Sequence, residues 1–261
     1  MNSTNRHRST RDRPAKAPLS EDAVVDAALA ILKSEGLEAV TMRRVAAALD
    51  TGAASLYVYV SGREGLLEAM LDRVIATIEL EAPNASRWRH QLHSVLVRLH
   101  GALLAHPGIA ATTLPDPPPT ETILLLTENL LGILLAGGIG PQDAAWACDV
   151  FTLLVIATTI EEDEVRASGR RSEGQRRGNV DDLYKTFTGL PRDRFPLIAA
   201  YAEQMVTGDG DERLRFAIDV VIDGVVARAA REEVSPPPKA RSRTLDDRPG
   251  SAGEGESTDG S

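Results

Sequence analysis

Three observations predict an all-α fold. Ala, Leu and Val dominate an apolar share of 43%, while aromatic residues make up only 4%, a composition suited to packed helices rather than stacked sheets. Apolar residues recur at three- and four-residue spacing over long stretches, punctuated by Gly, Pro and capping residues. No segment alternates apolar and polar residues as a half-buried strand does, and there is no internal repeat. The length of 261 residues suits one large domain or two smaller ones. The single cysteine, Cys148, excludes an internal disulfide framework and a cysteine-rich zinc site. The greasiest run, Ile123 to Ala136, is interrupted by Thr127, Glu128 and Asn129, and no uncharged apolar stretch reaches the roughly 18 residues of a membrane helix. The N-terminal arginines have no apolar segment behind them, unlike a signal peptide. A soluble, cytoplasmic protein without a membrane partner is expected.

Each element has its own signal. Residues 1–17 are polar and basic and read as a flexible arm. Ser20 is an N-cap with Glu21 and Asp22 in the first turn, Val24, Ala28, Ile31 and Leu32 form an apolar stripe, and Gly36 stops it. Thr41 caps a short second helix running to Leu49, with Met42, Val45, Ala46 and Leu49 on one face. Asp50-Thr51-Gly52 is a tight turn, and a third short helix spans Ala53 to Val60. Ser61-Gly62-Arg63-Glu64 has the form of a capping box and opens a fourth helix reaching about Leu80. Pro83 and Asn84 end that segment. Helices then follow over Arg87–Ala105, Thr120–Ala136, Pro141–Ala167, Asp193–Val206 and Asp211–Glu233. A rigid proline loop is expected at Pro115 to Pro119 and a mobile loop over residues 168–190. From Ser235 the Pro, Ser, Gly and Asp content predicts disorder.

Charge is unevenly placed. Arg6, Arg8, Arg11, Arg13 and Lys16 face only Asp12 in the arm, and residues 1–75 balance ten basic against ten acidic groups. The whole net charge of −9 therefore lies beyond residue 75. Such asymmetry suits a protein that meets a polyanion with one end only. Two short helices, Thr41–Leu49 and Ala53–Val60, are joined by about three residues and flanked by a helix on either side. This is the geometry of a helix-turn-helix, in which one helix braces on the DNA backbone and the next enters the major groove. Thr51, Gly52, Ala53, Ala54 and Ser55 would let the backbone of the second approach the bases closely.

Residues 20–75 resemble the DNA-binding domain of the tetracycline-repressor (TetR) family. Val40-Thr41-Met42-Arg43-Arg44-Val45-Ala46 is similar to its Thr-x-Arg-x-Leu/Val-Ala signature, Leu56-Tyr57-Val58-Tyr59-Val60 to its Leu-Tyr-x-His-Phe/Val segment, and Arg63-Glu64-Gly65-Leu66-Leu67 to its Lys-x-x-Leu-Leu helix start. Looser, collinear similarity to the tetracycline-repressor subgroup continues through Ala102–His106, Glu161-Glu162-Asp163 and Phe216–Gly224. Two positions depart from the pattern. Asp50 stands where the family has Gly in the turn, and Tyr59 where it has His.

The resemblance implies roles. Arg43 matches a base-reading arginine, and bidentate Arg to guanine is the commonest specific contact. Arg44 meets phosphate or an acidic neighbour. Ala53, Ala54 and Ser55 match base-facing positions, and Thr41 at the N-cap joins the contact candidates. Tyr57 and Tyr59 are candidate phosphate donors, with core packing as the alternative. Arg63 matches a phosphate-binding lysine. Arg11 and Arg13 reach the minor groove or remain a free tail. A ligand pocket is implied at Val95, Leu99, Thr113, Leu124 and Glu161, plain core being the alternative for each. Thr113 stands where the tetracycline repressors have a metal-coordinating His, which argues against a magnesium–tetracycline effector. His90, His93 and His100 lack a further recognisable ligand and read as surface or pocket-edge residues. No metal or other cofactor is expected. No nucleophile elbow, P-loop or dinucleotide fingerprint supports an enzyme.

The expected organisation is a basic arm (1–17), a three-helix helix-turn-helix domain (18–65), a helical ligand-binding and dimerisation domain (66–233) and a disordered tail (234–261). Function follows as an expectation. A homodimer formed through the two long C-terminal helices binds palindromic double-stranded operator DNA as a repressor and is released by a small-molecule effector. The competing reading is a helical sensor or interaction protein whose helix-turn-helix no longer binds DNA. The alanine-rich third helix and Asp50 leave it room, and Arg43, Arg63 and the basic arm oppose it.

Overall fold

The computed structural model describes residues 18–113, 120–167 and 173–234. Among them are eleven α-helices, two 3-10 turns and no strand. The arm, the proline loop and the C-terminal tail fall outside the described residues.

The head is built from α1 (Glu21–Glu35), α2 (Met42–Ala48), α3 (Ala53–Leu56) and the start of α4 (Arg63–Ile75). Ser20 caps α1 by accepting from the Ala23 N–H, and Gly36, at φ +87°, ends it with an N–H to the Leu32 carbonyl. Thr41 caps α2 by accepting from the Arg44 N–H. Asp50 holds the turn at φ +58°, the left-handed conformation that Asp tolerates better than most residues. The third helix is shorter than expected. After Leu56 the chain continues as turns, with Tyr59 and Val60 N–H groups both donating to the Leu56 carbonyl, because the run Val58-Tyr59-Val60 favours a looser backbone. The capping box at Ser61 does not form. Gly62, at φ +115°, is the N-cap of α4 and makes no side-chain cap bond, so the helix starts one residue later and Glu64 falls out of capping register.

The body comprises α5 (Trp88–Leu104), α6 (Glu121–Ala136), α7 (Pro141–Ala167), α8 (Glu173–Thr188), α9 (Pro196–Ala200), α10 (Ala202–Val206) and α11 (Gly210–Val234). α4 ends at Ile75 rather than near Leu80, but Ile78 is still buried beyond it. Gln91, itself buried, holds the break between α4 and α5: its amide donates to the Ala82 carbonyl and its carbonyl accepts from Asn84 N–H, both at 2.8 Å.

Part of the segment 168–190, expected as a mobile loop, is the helix α8. Val180, Leu183, Tyr184 and Phe187 recur at i, i+3, i+4 and i+7, a helical period hidden by the Gly, Arg and Ser residues before it. The expected helix over 193–206 is two short ones, broken at Tyr201. α7 is long and apolar enough by composition to cross a membrane, its most apolar 18 residues having a mean hydropathy of 1.5. It is the central helix of the body, packed against α5, α6 and α11.

One apolar core runs unbroken through both parts. It extends from Val24 and Leu32 in α1 through Leu66, Met70, Leu71 and Val74 in α4 to Leu96, Leu134, Phe151 and Ile218. Burying roughly 1.5–3 kcal/mol of side chain at each large apolar position, this core makes α4 a shared wall rather than a linker.

Candidate nucleic-acid interface and effector cavity

The head sorts its polar side chains into held and free. Arg44 pairs bidentately with Glu35 of α1, at 2.5 and 3.1 Å. The hydrogen bond from Arg44 holds the Glu35 carboxyl below the usual carboxylate range and raises the guanidinium in turn. Both groups are solvent-facing, so the pair braces α1 on α2 with little net stabilisation. Arg44 thus meets the acidic neighbour rather than an open surface. Arg63 donates from Nε to the Val40 carbonyl at 3.1 Å, with Nη2 3.5 Å from the Leu37 carbonyl, closing the loop before α2. Tyr59 donates its hydroxyl to the Leu19 carbonyl at 2.8 Å. It is a structural clasp, and its proton is not open to a phosphate.

Arg43 is exposed and has no ion pair or side-chain hydrogen bond among the described residues. Ala54 and Ser55 are exposed and Ala53 half-buried. Tyr57 is 60% exposed and Val58 80%, so Tyr57 faces outward rather than packing in the core. Val58, which the sequence did not single out, shares that exposed turn. Thr41 spends its hydroxyl on the cap. Arg11 and Arg13 lie outside the described residues.

The body forms a half-open cavity of about 570 Å³, within the range of small-molecule sites. Leu71 and Ile75 of α4 form its floor. Leu99 and Leu103 come from α5, Ile123, Leu126, Thr127 and Leu130 from α6, and Cys148, Asp149, Thr152, Leu153 and Ile156 from α7. Of the positions expected to line a pocket, the cavity takes Leu99. Val95 is buried in the core but absent from the lining, and Leu124 points outward, 53% exposed. Glu161 is exposed and lines two smaller hollows farther along α7. The side chain of Thr113 lies outside the described residues. The lining residues missed by the sequence follow a signal it carried: Ile123, Leu126 and Leu130, with Cys148, Thr152 and Ile156, sit at helical spacing on two facing helices. Burial and the neighbouring Asp149 carboxylate push the Cys148 thiol up to about 11, so it stays neutral at ordinary pH and is a poor nucleophile.

The histidines do not converge. His90 is exposed and His93 half-buried, while His100 is buried with Nε2 3.6 Å from Glu162 Oε1. Among the described residues no three His, Cys, Asp or Glu side chains meet in a metal-binding group.

Residues 24–70 match the family described as bacterial regulatory proteins, tetR family, and residues 81–229 match the tetracyclin repressor-like C-terminal domain. The chain is 29% identical over 230 residues to the HTH-type transcriptional repressor DrrR1 of Streptomyces coeruleorubidus, spanning 85% of this chain and 84% of that one. Among solved structures it is similar to apo ActR from Streptomyces coelicolor, with a TM-score of 0.75 and 31% identity over 83% of this chain and 99% of the other. It is similar also to ActR in complex with actinorhodin, with a TM-score of 0.74 and 31% identity over 81% and 97% of the two chains. With its helix-turn-helix, its apolar cavity and these matches along both parts, the chain belongs to the TetR family of ligand-responsive, DNA-binding transcriptional regulators.

Proposed function

We propose that the chain is a repressor that binds a palindromic operator as a homodimer and leaves it when a small molecule enters the cavity. The observation that carries this is the position of α4. Its inner face lines the cavity with Leu71 and Ile75, and its outer contacts hold the head. Two adjacent residues do the joining. Asp72 accepts from the Thr120 hydroxyl at 2.5 Å, and Thr120 is also the N-cap of α6. Arg73 pairs with Asp26 at 2.8 Å and with Asp22, both on α1. A ligand that displaces α6 therefore moves the head through a single turn of helix. By linkage, a ligand that weakens DNA binding is itself bound more weakly on DNA by the same factor.

The homodimer reading rests on stripes left open in the body. Trp146, Val150 and Leu153 of α7 and Phe216 and Val220 of α11 are all exposed, at the spacing of one helix face. A two-fold pairing of these helices as a four-helix bundle would set two recognition helices about 34–36 Å apart, one turn of DNA. Within the head we assign base contact to Arg43, Ala53, Ala54 and Ser55 and phosphate contact to Tyr57, with Thr41, Arg44, Tyr59 and Arg63 shaping the surface. The unit boundaries we favour are 18–65 for DNA binding and 66–233 for ligand and dimer, the cytoplasm being its place of action.

The test is binding to the promoter DNA flanking its own gene, across a salt series, for the full chain and for Arg43→Ala. Specific binding to a palindrome is expected, and the substitution should weaken it by about 1–3 kcal/mol. Binding no tighter than to random DNA at every salt, together with a random-sequence selection that returns no motif, would sink the repressor reading.

A further inference from the structure

Resting on the cavity as the effector site, the chemistry of its lining goes further than its volume. We propose that the effector is a lipophilic cation, an apolar body bearing a protonated amine, and that carboxylates of the same shape are rejected. Every side-chain oxygen that the described residues bring to the cavity presents an acceptor. The Thr127 hydroxyl donates its proton to the Ile123 carbonyl at 2.9 Å, and the Thr152 hydroxyl donates to the Cys148 carbonyl at 2.9 Å, leaving lone pairs toward the space between α6 and α7. Asp149 contributes a carboxylate at the exposed edge of the lining, and among the described residues it has no ion-pair or hydrogen-bond partner. Among the described residues no Lys, Arg or His lines the cavity. Apart from the Cys148 thiol, the rest of the described lining is aliphatic.

A ligand carboxylate placed there would give up its water shell with no cation to receive it, and a carboxylate of the same sign would stand at the edge. An ammonium group finds the reverse: a fixed negative charge and two hydroxyl oxygens whose protons already point elsewhere. Leu99 of α5 and Ile156 of α7 bound the slot that the apolar body must enter. The Cys148 thiol, neutral in this setting, offers at most a weak donor and does not change the sign of the site.

The experiment uses three fluorescent probes of one shape: 9-(aminomethyl)anthracene, 9-anthracenemethanol and 9-anthracenecarboxylate. Binding of each to the full-length protein is titrated at low and moderate salt. The amine is expected to bind about tenfold tighter than the carboxylate, with the alcohol between them, and the gap should narrow as salt rises. Asp149→Asn should bring the amine to within about twofold of the alcohol. Leu99→Trp and, as an independent plug from a different helix, Ile156→Trp should abolish binding of all three, with helical content checked by circular dichroism. If the carboxylate binds as tightly as the amine, or the preference survives Asp149→Asn, the cation proposal is overturned while the cavity keeps its role. If no probe binds, or if both folded plugs leave binding intact, the reading of the cavity as the effector site falls, and this proposal with it.

Discussion

The head and the body of this chain reach order by opposite means. In the head, a few hydrogen bonds hold the long polar side chains: Arg44 to Glu35, Arg63 to the Val40 carbonyl, Tyr59 to the Leu19 carbonyl. Among the described residues, what remains free on α2 and on the turn after α3 is a cation, Arg43, and a phenol, Tyr57. In the body, aliphatic packing does the holding, and what remains free is apolar: Trp146, Val150 and Leu153 on one helix, Phe216 and Val220 on another. The lesson lies in what each part leaves unsatisfied. Free charge and hydroxyl groups call for a polyanion, and a free apolar stripe calls for another protein surface.

The contrast can be broken at the core that the two parts share. Leu56, the last residue of α3, is fully buried, and Leu56→Ala should cost about 2–5 kcal/mol. Because the core is continuous through α4, the loss should lower the melting temperature of the whole chain in a single calorimetric transition. Two resolved transitions, with the body melting unchanged, would show that the parts fold separately. A smaller effect is expected within the body. Asp143 on α7 is 6% exposed and is held bidentately by Arg228 of α11, both bonds at 3.1 Å. Arg228→Ala strips that buried carboxylate of its fork and should cost about 2 kcal/mol. Pairing it with Asp143→Asn should recover part of the loss in a denaturant titration, and no recovery would mean that Arg228 acts through its aliphatic stem instead.

The smallest and sharpest comparison is between two tyrosines two residues apart. Tyr59→Phe should lower folding stability by about 1 kcal/mol, because it removes a half-buried clasp. Its effect on operator affinity should be slight. Tyr57→Phe should do the reverse, leaving the melting curve in place and weakening DNA binding severalfold on every sequence, as a lost phosphate contact does. If both variants act on stability alone, Tyr57 is not a DNA contact.

Much of this was written in the sequence at the level of periodicity. The stripe of α1, the helices α5, α6, α7 and α11 and the caps at Ser20 and Thr41 all emerge where local chemistry demands them. The misses share a cause. The capping box at Ser61 has correct residues but loses to Gly62, whose positive φ lets the chain turn one residue later. The helix α8 was hidden because its glycines and arginines carry breaker and surface signals while its apolar period is short. The role of Tyr59 depends on Leu19, forty residues away, and no local pattern encodes that distance. The cavity lining was the least legible. Position along a family pattern named Leu99, whereas the remaining walls are set by the rotation of α6 and α7 about their axes, which depends on what packs behind them.

The placement of α4 also bears on how such proteins can be recombined. The family matches end at residue 70 on one side and resume at residue 81 on the other, which invites a chimera cut between them. That gap is not a neutral seam. It holds Leu71, Val74, Ile75 and Ile78, all buried in the common core, together with the neighbouring Asp72, bonded to the cap of α6, and Arg73, paired with α1. A graft that carries a new head as far as residue 70 severs α4 one turn before its end and leaves Arg73 facing a foreign first helix. Exchanging heads between regulators of this kind requires that α4 travel with its α1, and that the recipient's α6 cap be matched to the donor's carboxylate.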